Sequence, residues 1–414
     1  MQTELTNIKE KFFTKPLAII FITILIDLIG FGIVIPLLTF YAEEFNATPF
    51  HLGLLVASYS LMQFIFSPFL GTLSDKYGRR PLLFISIIGS GIGYLMMGYA
   101  GALWMIFAGR ILGGITGGNL SIAQAYIADI TTKENRAKGM GLFGMAFGLG
   151  FILGPVIAGI LSPFGHHIPF VFAAVLSFAN ALMLYFILPE SRKFEENNEN
   201  VKRQSRFAEL TEVFQDKRFT TITLQYFLLV TAFSMMTTSF AYYTMYKFGY
   251  GVAETGYLLG YVGFLAVLMQ GVLFGRLAKR FGEAKLSIFG CLMLVLSFIA
   301  IPFVSKDSGG LLALLIGAGC FSLGNSMASP SMTTLASKNA DDRDQGKILG
   351  IMQSAASLAR VIGPLICGVL LNNSLNQVDD TTLMRNFFGA AAIMAIALVV
   401  AIYYFSIQRK LKSA

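Results

Sequence analysis

Apolar residues fall in twelve long runs, separated by short polar turns and one long polar stretch. The runs lie near 17–40, 52–73, 82–100, 103–128, 140–161, 169–188, 219–245, 255–275, 286–304, 311–335, 347–371 and 385–407. Each is close to the roughly 20 residues a helix needs to cross a hydrocarbon core of about 30 Å. Lipid offers the backbone no hydrogen-bond partner, so spanning segments must be helices or strands of a closed barrel. Barrel strands are about 10 residues long and alternate strictly. These runs are longer and do not alternate. The pattern predicts an all-α membrane protein with 12 transmembrane helices.

Composition agrees: 55% of the 414 residues are hydrophobic and 13% charged. The net charge of +8 would suit nucleic acid, but its placement points elsewhere. Of the 31 Lys and Arg residues, Lys247, Lys306 and Arg385 lie in alternate loops on one side, Arg110 and Arg360 lie inside spans, and the other 26 lie on the opposite side. Basic excess marks the cytoplasmic face, so both termini are expected there, and the short loops suggest a bacterial inner membrane. Lys9, Lys11 and Lys15 precede a first run too long for a cleavable signal. Cys291, Cys320 and Cys367 sit within spans, and His51, His166 and His167 at outer loops, with no metal-ligand spacing. No GxSxG, HExxH or Walker sequence is present. An enzyme is disfavoured, no cofactor is expected, and ion-gradient energy is the natural drive.

The stretch 190–218 is polar, with Glu195-Glu196-Asn197-Asn198-Glu199-Asn200 at its centre. It reads as a cytoplasmic linker between a first six-helix half at 1–189 and a second at 219–414, with an amphipathic surface helix from Phe207 to Phe219. The halves echo each other. Gly71-Thr-Leu-Ser-Asp-Lys-Tyr-Gly78 corresponds to Gly275-Arg-Leu-Ala-Lys-Arg-Phe-Gly282, and Gly154-Pro155 to Gly363-Pro364. Two pseudo-symmetric halves around a central site are expected.

Three charges lie deep in the spans. Asp27 is ten residues past Leu17, about 15 Å along a helix, near the midplane. Arg110 stands beside the small-residue face Gly109, Gly113, Gly117, a spacing that lets helices pack closely. An embedded guanidinium is costly without a partner, so Asp27 is its expected partner, either as a static ion pair or as a protonation switch. Arg360 has no matching deep carboxylate; it either faces a cavity or reaches outward. Gln63, Asn119, Gln124, Met236, Gln270, Asn325 and Gln353 are candidate cavity residues, although intramembrane amides also serve to join helices.

The loop Gly71 to Arg80, with Asp75, Gly78, Arg79 and Arg80, resembles the loop signature of the major facilitator superfamily of transporters. That resemblance implies a cytoplasmic latch including Asp75 and Arg79, with Asp129 as charge partner. The fifth span, with Gly150, Gly154, Pro155 and Gly159, is similar to the signature of drug/proton antiporters. The stretches Ser74–Leu83, Ala102–Trp104, Gly109–Gly117, Ile127–Asp129 and Phe147–Gly150 look close to the bacterial tetracycline/proton antiporters. In that comparison Asp27 matches the first-helix acid, Arg110 the fourth-helix arginine and Gln270 an eighth-helix glutamine. The third-helix acid is replaced by Gly93 and the eighth-helix histidine by Ala266. Both are associated with handling a metal-chelated tetracycline, so their absence points to other amphipathic drugs or a cellular metabolite. The expected function is proton-coupled export of small molecules by a monomer through alternating access. A proton-coupled importer and a non-transporting sensor are the alternatives.

Overall fold

The computed structural model describes residues 14–132, 135–191, 216–339 and 345–413. Its described residues are helical almost throughout, with no strand among them. Most of the expected linker and of its surface helix lies outside the described residues. The helices are α1 Lys15–Glu43, α2 Pro49–Tyr77, α3 Arg79–Gly98, α4 Leu103–Thr116, α5 Asn119–Ile130, α6 Arg136–Leu161 and α7 Ile168–Ile187. Further along the chain come α8 Lys217–Phe248, α9 Val252–Leu268, α10 Phe274–Phe281, α11 Glu283–Ala300, α12 Gly310–Lys338, α13 Gln345–Leu371 and α14 Asp380–Ser413.

Local chemistry sets the helix starts. Thr14 and Thr48 cap α1 and α2, each followed by a proline in the first turn, where a missing N–H costs nothing. Asp216 accepts from the Arg218 N–H at 2.8 Å to open α8. Eleven helical stretches among the described residues are long and apolar enough to cross a membrane, one of them the continuous run Val252–Phe281. The fourth expected span is not one helix. It divides at Gly117-Gly118 into segments of 14 and 12 residues, α4 and α5. The reason is local. Thr116 turns its hydroxyl back to the Leu112 carbonyl at 3.0 Å, and Gln63 of α2 donates to the Gly117 carbonyl at 2.9 Å, satisfying a group the break frees. A second irregularity joins α9 to α10, where Met269–Leu273 is a π-helical turn containing Gln270.

Packing falls into two groups. In the first, α1 packs on α6 and α7, and α3 on α4 and α7; in the second, α11 packs on α12, and α8 on α13 and α14. The main contacts between the groups are α2 with α13 and α6 with α9. Both crossings use glycine opposite a Gly-Pro site. A Cβ at Gly53 would lie 2.4 Å from the Pro364 carbonyl oxygen, and one at Gly256 would lie 2.3 Å from the Pro155 carbonyl oxygen. These contacts sit at the end of the bundle away from the Gly71–Arg80 loop. Towards that loop the same four stretches part. An added Cβ at Gly71 of α2, Gly141 or Gly144 of α6, Gly271 or Gly275 in the π turn and α10, or Gly350 of α13 would meet nothing within 4 Å. The bundle is closed at one end and open at the end carrying the decapeptide.

Candidate functional site

The helix break shapes the central site. It makes Asn119 the first residue of α5, where its Oδ1 accepts from the Leu120 N–H at 2.8 Å. The opposite side of the amide, Nδ2, donates to Asp27 Oδ1 at 2.5 Å. Asn119 is 4% exposed, and Asp27 is partly buried on α1. The partner of Asp27 is thus an amide, not Arg110: no ion pair joins Asp27 and Arg110. Arg110 lies on the other side of the break, at 5% exposure. Its Nε donates to the Leu55 carbonyl at 3.3 Å, and its guanidinium lies 4.4 Å from the Tyr59 ring centroid. An aromatic face attracts a cation, and α2 supplies both contacts. Arg110 therefore turns towards α2 while Asp27 turns towards α5.

Close helix contacts keep the site compact. A Cβ at Gly93 would meet the Gly109 carbonyl oxygen at 2.9 Å, so α3 and α4 touch backbone to backbone where a third-helix acid was sought. A Cβ at Gly154 would meet Gly32 Cα at 2.6 Å, and one at Gly150 would meet Leu28 Cβ at 2.5 Å. The glycines of the fifth span thus seat α6 on α1 one turn from Asp27, and Gly159 seats it on Ala253 of α9.

Other candidate residues divide. Gln63 is occupied with the Gly117 carbonyl, a structural bond rather than a free cavity donor. Met236 is 1% exposed in the core between α8 and its neighbours, so it does not line an open cavity; its apolar thioether packs as any core side chain does. Gln270 Nε2 is 3.4 Å from Ser326 Oγ, a weak link from the π turn to α12. Gln124 and Asn325 are partly buried and Gln353 is exposed. Arg360 is partly buried, and its hydrogen bond, to Ser357 Oγ, is 3.5 Å long, at the limit of such bonds.

At the open end, Arg79 gathers the decapeptide. Its Nη2 is 2.8 Å from Asp75 Oδ1, its Nε 3.1 Å from Asp129 Oδ2, and its Nη1 donates to Ser74 Oγ at 2.6 Å. Glu190, read from the sequence as the start of a linker, belongs to this cluster. Its carboxylate accepts the backbone N–H groups of Arg79 at 2.8 Å and Arg80 at 3.1 Å, the first two of α3. A carboxylate at a helix N-terminus satisfies orphan donors and meets the positive end of the helix dipole. Gly78, at φ +100°, makes the turn, and a Cβ there would lie 2.6 Å from Glu190 Oε2. Ser191 donates to Asp129 at 3.1 Å, Tyr126 donates to the Pro189 carbonyl at 2.8 Å, and Arg80 donates to the Tyr185 carbonyl. The end of α7 is thereby fastened to the cluster. The signal for it was present: Pro189 stops the helix, and a carboxylate follows at the basic end.

A bundle of apolar helices with a few buried charges, shut at one end and open at the other, defines a polytopic membrane carrier. Sequence comparison gives the family. The Major Facilitator Superfamily matches residues 20–364 and 275–414, and the chain belongs to that family. The tetracycline resistance protein, class H, of Pasteurella multocida is 31% identical, covering 96% of this chain and 97% of its own. The class B protein of Escherichia coli is 34% identical over 85% of this chain and 87% of its own. Multidrug resistance protein 2 of Bacillus subtilis is 28% identical over 91% of each. Among solved structures, a bacterial homologue of the human lysosomal transporter Spinster, captured inward-facing and occupied, shares the fold with a TM-score of 0.77. It is 15% identical, covering 95% of this chain and 98% of its own.

Proposed function

We propose that this protein is a proton-coupled secondary transporter that exports small amphipathic molecules by alternating access. The observation that carries this reading is the Asn119–Asp27 bond inside a bundle whose helices part towards one end. A lone membrane-embedded carboxylate beside a polar amide is a group that can take and give up a proton. The family is one of transporters, not enzymes, and the relatives named for tetracycline and multidrug resistance favour export over import. Departures at Gly93 and Ala266 favour substrates other than a metal-chelated tetracycline.

In this reading twelve spans cross a bacterial inner membrane, with the α4–α5 pair as the fourth and both termini in the cytoplasm. Residues 1–189 and 219–414 form two related halves joined by the 190–218 linker, and the protein works as a monomer without a cofactor. The open end is cytoplasmic, supported by the basic residues around it. Asp27 carries the proton. Arg110 holds α2 against α4 and sets the field around it. The Arg79 cluster with Asp75, Arg80, Asp129, Gly71 and Gly78 is one half of a latch that closes against the second half in the opposite state. Gly150, Gly154, Pro155 and Gly159 are the pivot on which α6 turns between α1 and α9. Gln124, Gln270, Asn325, Gln353 and Arg360 face the substrate path.

The test uses inside-out vesicles with an acid interior and a pH-sensitive dye, to which drugs and polar metabolites are added singly. Substrate-induced proton release is expected. Proton movement in the same direction as the solute would support the importer instead and overturn this reading.

A further inference from the structure

Arg360 lies midway along the apolar stretch Ile348–Leu371 of α13. The packing of α13 fixes the side it occupies. Gly363 is set against Thr231 and Ser234 of α8, Gly368 and the Pro364 carbonyl against Gly53 of α2, and Leu358 and Val369 are exposed on the outer side. At about 100° per residue, Arg360 falls between the α8 and α2 contacts and opposite Leu358 and Val369. It therefore faces the space between the two groups of helices. Gln353, two turns nearer the open end, shares that side and is exposed there.

The first group of helices presents aromatic rings to the same space. Helix α6 meets α1 through Gly150 and Gly154, and α9 through Gly148 and Ile152. Phe147 and Phe151 fall between those contacts, opposite the exposed Leu153 and Ile160. Phe151 stacks on Phe147 with centroids 5.1 Å apart, Phe31 of α1 is 5.9 Å from Phe151, and Tyr59 of α2 is 5.7 Å from Phe31. The row runs inward from the open end to α2. Tyr59 and Arg360 lie on the open side of the Gly53–Pro364 crossing, roughly 9 Å and 6 Å along their helices, so the row ends at the depth of Arg360. A Cβ at Gly144 of α6 or Gly350 of α13 would meet nothing within 4 Å, which leaves room between the walls.

Arg360 has no counter-charge. Among the described residues its hydrogen bond is the 3.5 Å one to Ser357 Oγ, and no carboxylate pairs with it. The nearest candidate by depth, Asp27, is engaged by Asn119. Water hydrates the guanidinium while the helices are parted. When the halves close over a substrate that water leaves, and an unpaired cation inside the membrane is costly. A carboxylate matches the guanidinium fork with two parallel hydrogen bonds, and the ring faces suit an aromatic or extended apolar body. A cationic group would be repelled. We infer that the substrates of this protein are amphipathic organic anions. The carboxylate sits on Arg360, the apolar body lies along Phe31, Phe151 and Phe147, and Gln353 meets a polar substituent nearer the open end. This rests on the export reading above and names the chemistry that the path carries.

The experiment measures equilibrium binding to the full-length protein in lipid nanodiscs, with empty nanodiscs subtracted. The probes are tritiated 2-naphthylacetate, its neutral amide, and 2-(2-naphthyl)ethylammonium, which share a ring system and differ in charge. Wild type is expected to bind the carboxylate roughly tenfold tighter than the amide, and the ammonium most weakly. Arg360→Gln is expected to bind carboxylate and amide alike, Arg360→Lys to keep the carboxylate preference, and Phe151→Ala to weaken both in equal proportion. Unfolding temperatures without probe show that each variant is folded. A wild type that binds the amide or the ammonium as tightly as the carboxylate, or that binds none of the three, overturns the proposal. So does Arg360→Gln with the wild-type carboxylate preference. No proton gradient enters this measurement: carboxylate binding without proton release in the vesicles would keep the anion site and overturn proton-coupled export instead.

Discussion

Asn119 holds the Asp27 carboxylate at 2.5 Å from the first residue of α5, a helix that begins there because Gly117 and Gly118 interrupt the fourth span. The donor is positioned by the break, and its own carbonyl is occupied by the Leu120 N–H. Replacing Asn119 with Leu leaves Asp27 without that donor. Hydrogen bonds to charged groups contribute about 1.5–3 kcal/mol. Proton-coupled transport is expected to fall roughly tenfold to a hundredfold, measured as rate per reconstituted protein. A wild-type rate from Asn119→Leu would remove the amide from the coupling account.

Gln63 offers a contrasting case, since its amide closes the helix break instead of facing substrate. Gln63→Leu strands the Gly117 carbonyl, at a cost of about 1–3 kcal/mol. A lower melting temperature is expected, with the rank order of substrates unchanged. A variant of wild-type stability and altered specificity would return Gln63 to the substrate path.

The closed end rests on contacts too tight for any side chain. At Gly53 a Cβ would be 2.4 Å from the Pro364 carbonyl oxygen, whereas at Gly71, on the same helix, it would meet nothing within 4 Å. Gly53→Val is therefore expected to force α2 from α13 and favour the opposite state, while Gly71→Val leaves the present state undisturbed. A reporter cysteine at Val56, partly buried on α2, reads this out: its labelling should rise several-fold with Gly53→Val and stay level with Gly71→Val. Equal labelling in both would contradict the closed-end packing of α2 on α13.

Outside the membrane, Asp379 caps α14. Its Oδ1 accepts from the Thr382 N–H at 2.7 Å and its Oδ2 from Asn373 at 3.0 Å. The Thr382 N–H above all holds its carboxyl below the usual range. A depressed carboxylate contributes stability that is complete above its unfolded value, about 3.9, and is lost as pH falls through the lower folded value. Asp379→Ala is expected to cost about 1 kcal/mol at neutral pH, with the difference from wild type shrinking below about pH 4. Melting curves from pH 7 to pH 3 check it; a difference that grows on acidification would refute the cap.

Much of this architecture was legible because lipid is a strict solvent: the apolar runs must be helices, and the basic residues gather on one side. The two Gly-Pro sites stood out as repeats, and the structure sets Gly53 and Gly256, which no pattern singled out, against them at the closed end. The break in the fourth span was not legible, because paired glycines are common in membrane helices and periodicity does not register a two-residue interruption. The missing Asp27–Arg110 pair has a related cause. Charge alone suggests a partner, but Tyr59 and the Leu55 carbonyl compete for the guanidinium, and Asn119 reaches Asp27 only after the break turns it. Glu190 reaches Arg79 across 111 residues of sequence, and no local pattern predicts such a contact. Met236 misled because a thioether suits a core as well as a cavity.

The central claim is that Asp27 couples proton flow to substrate movement. It is tested most directly in proteoliposomes by comparing proton-driven substrate accumulation with substrate–substrate exchange, for wild type and Asp27→Asn. Wild type should show both. Asp27→Asn should keep exchange, because the cavity and pivots are intact, and lose accumulation against a gradient. Accumulation by Asp27→Asn at the wild-type level would contradict the account.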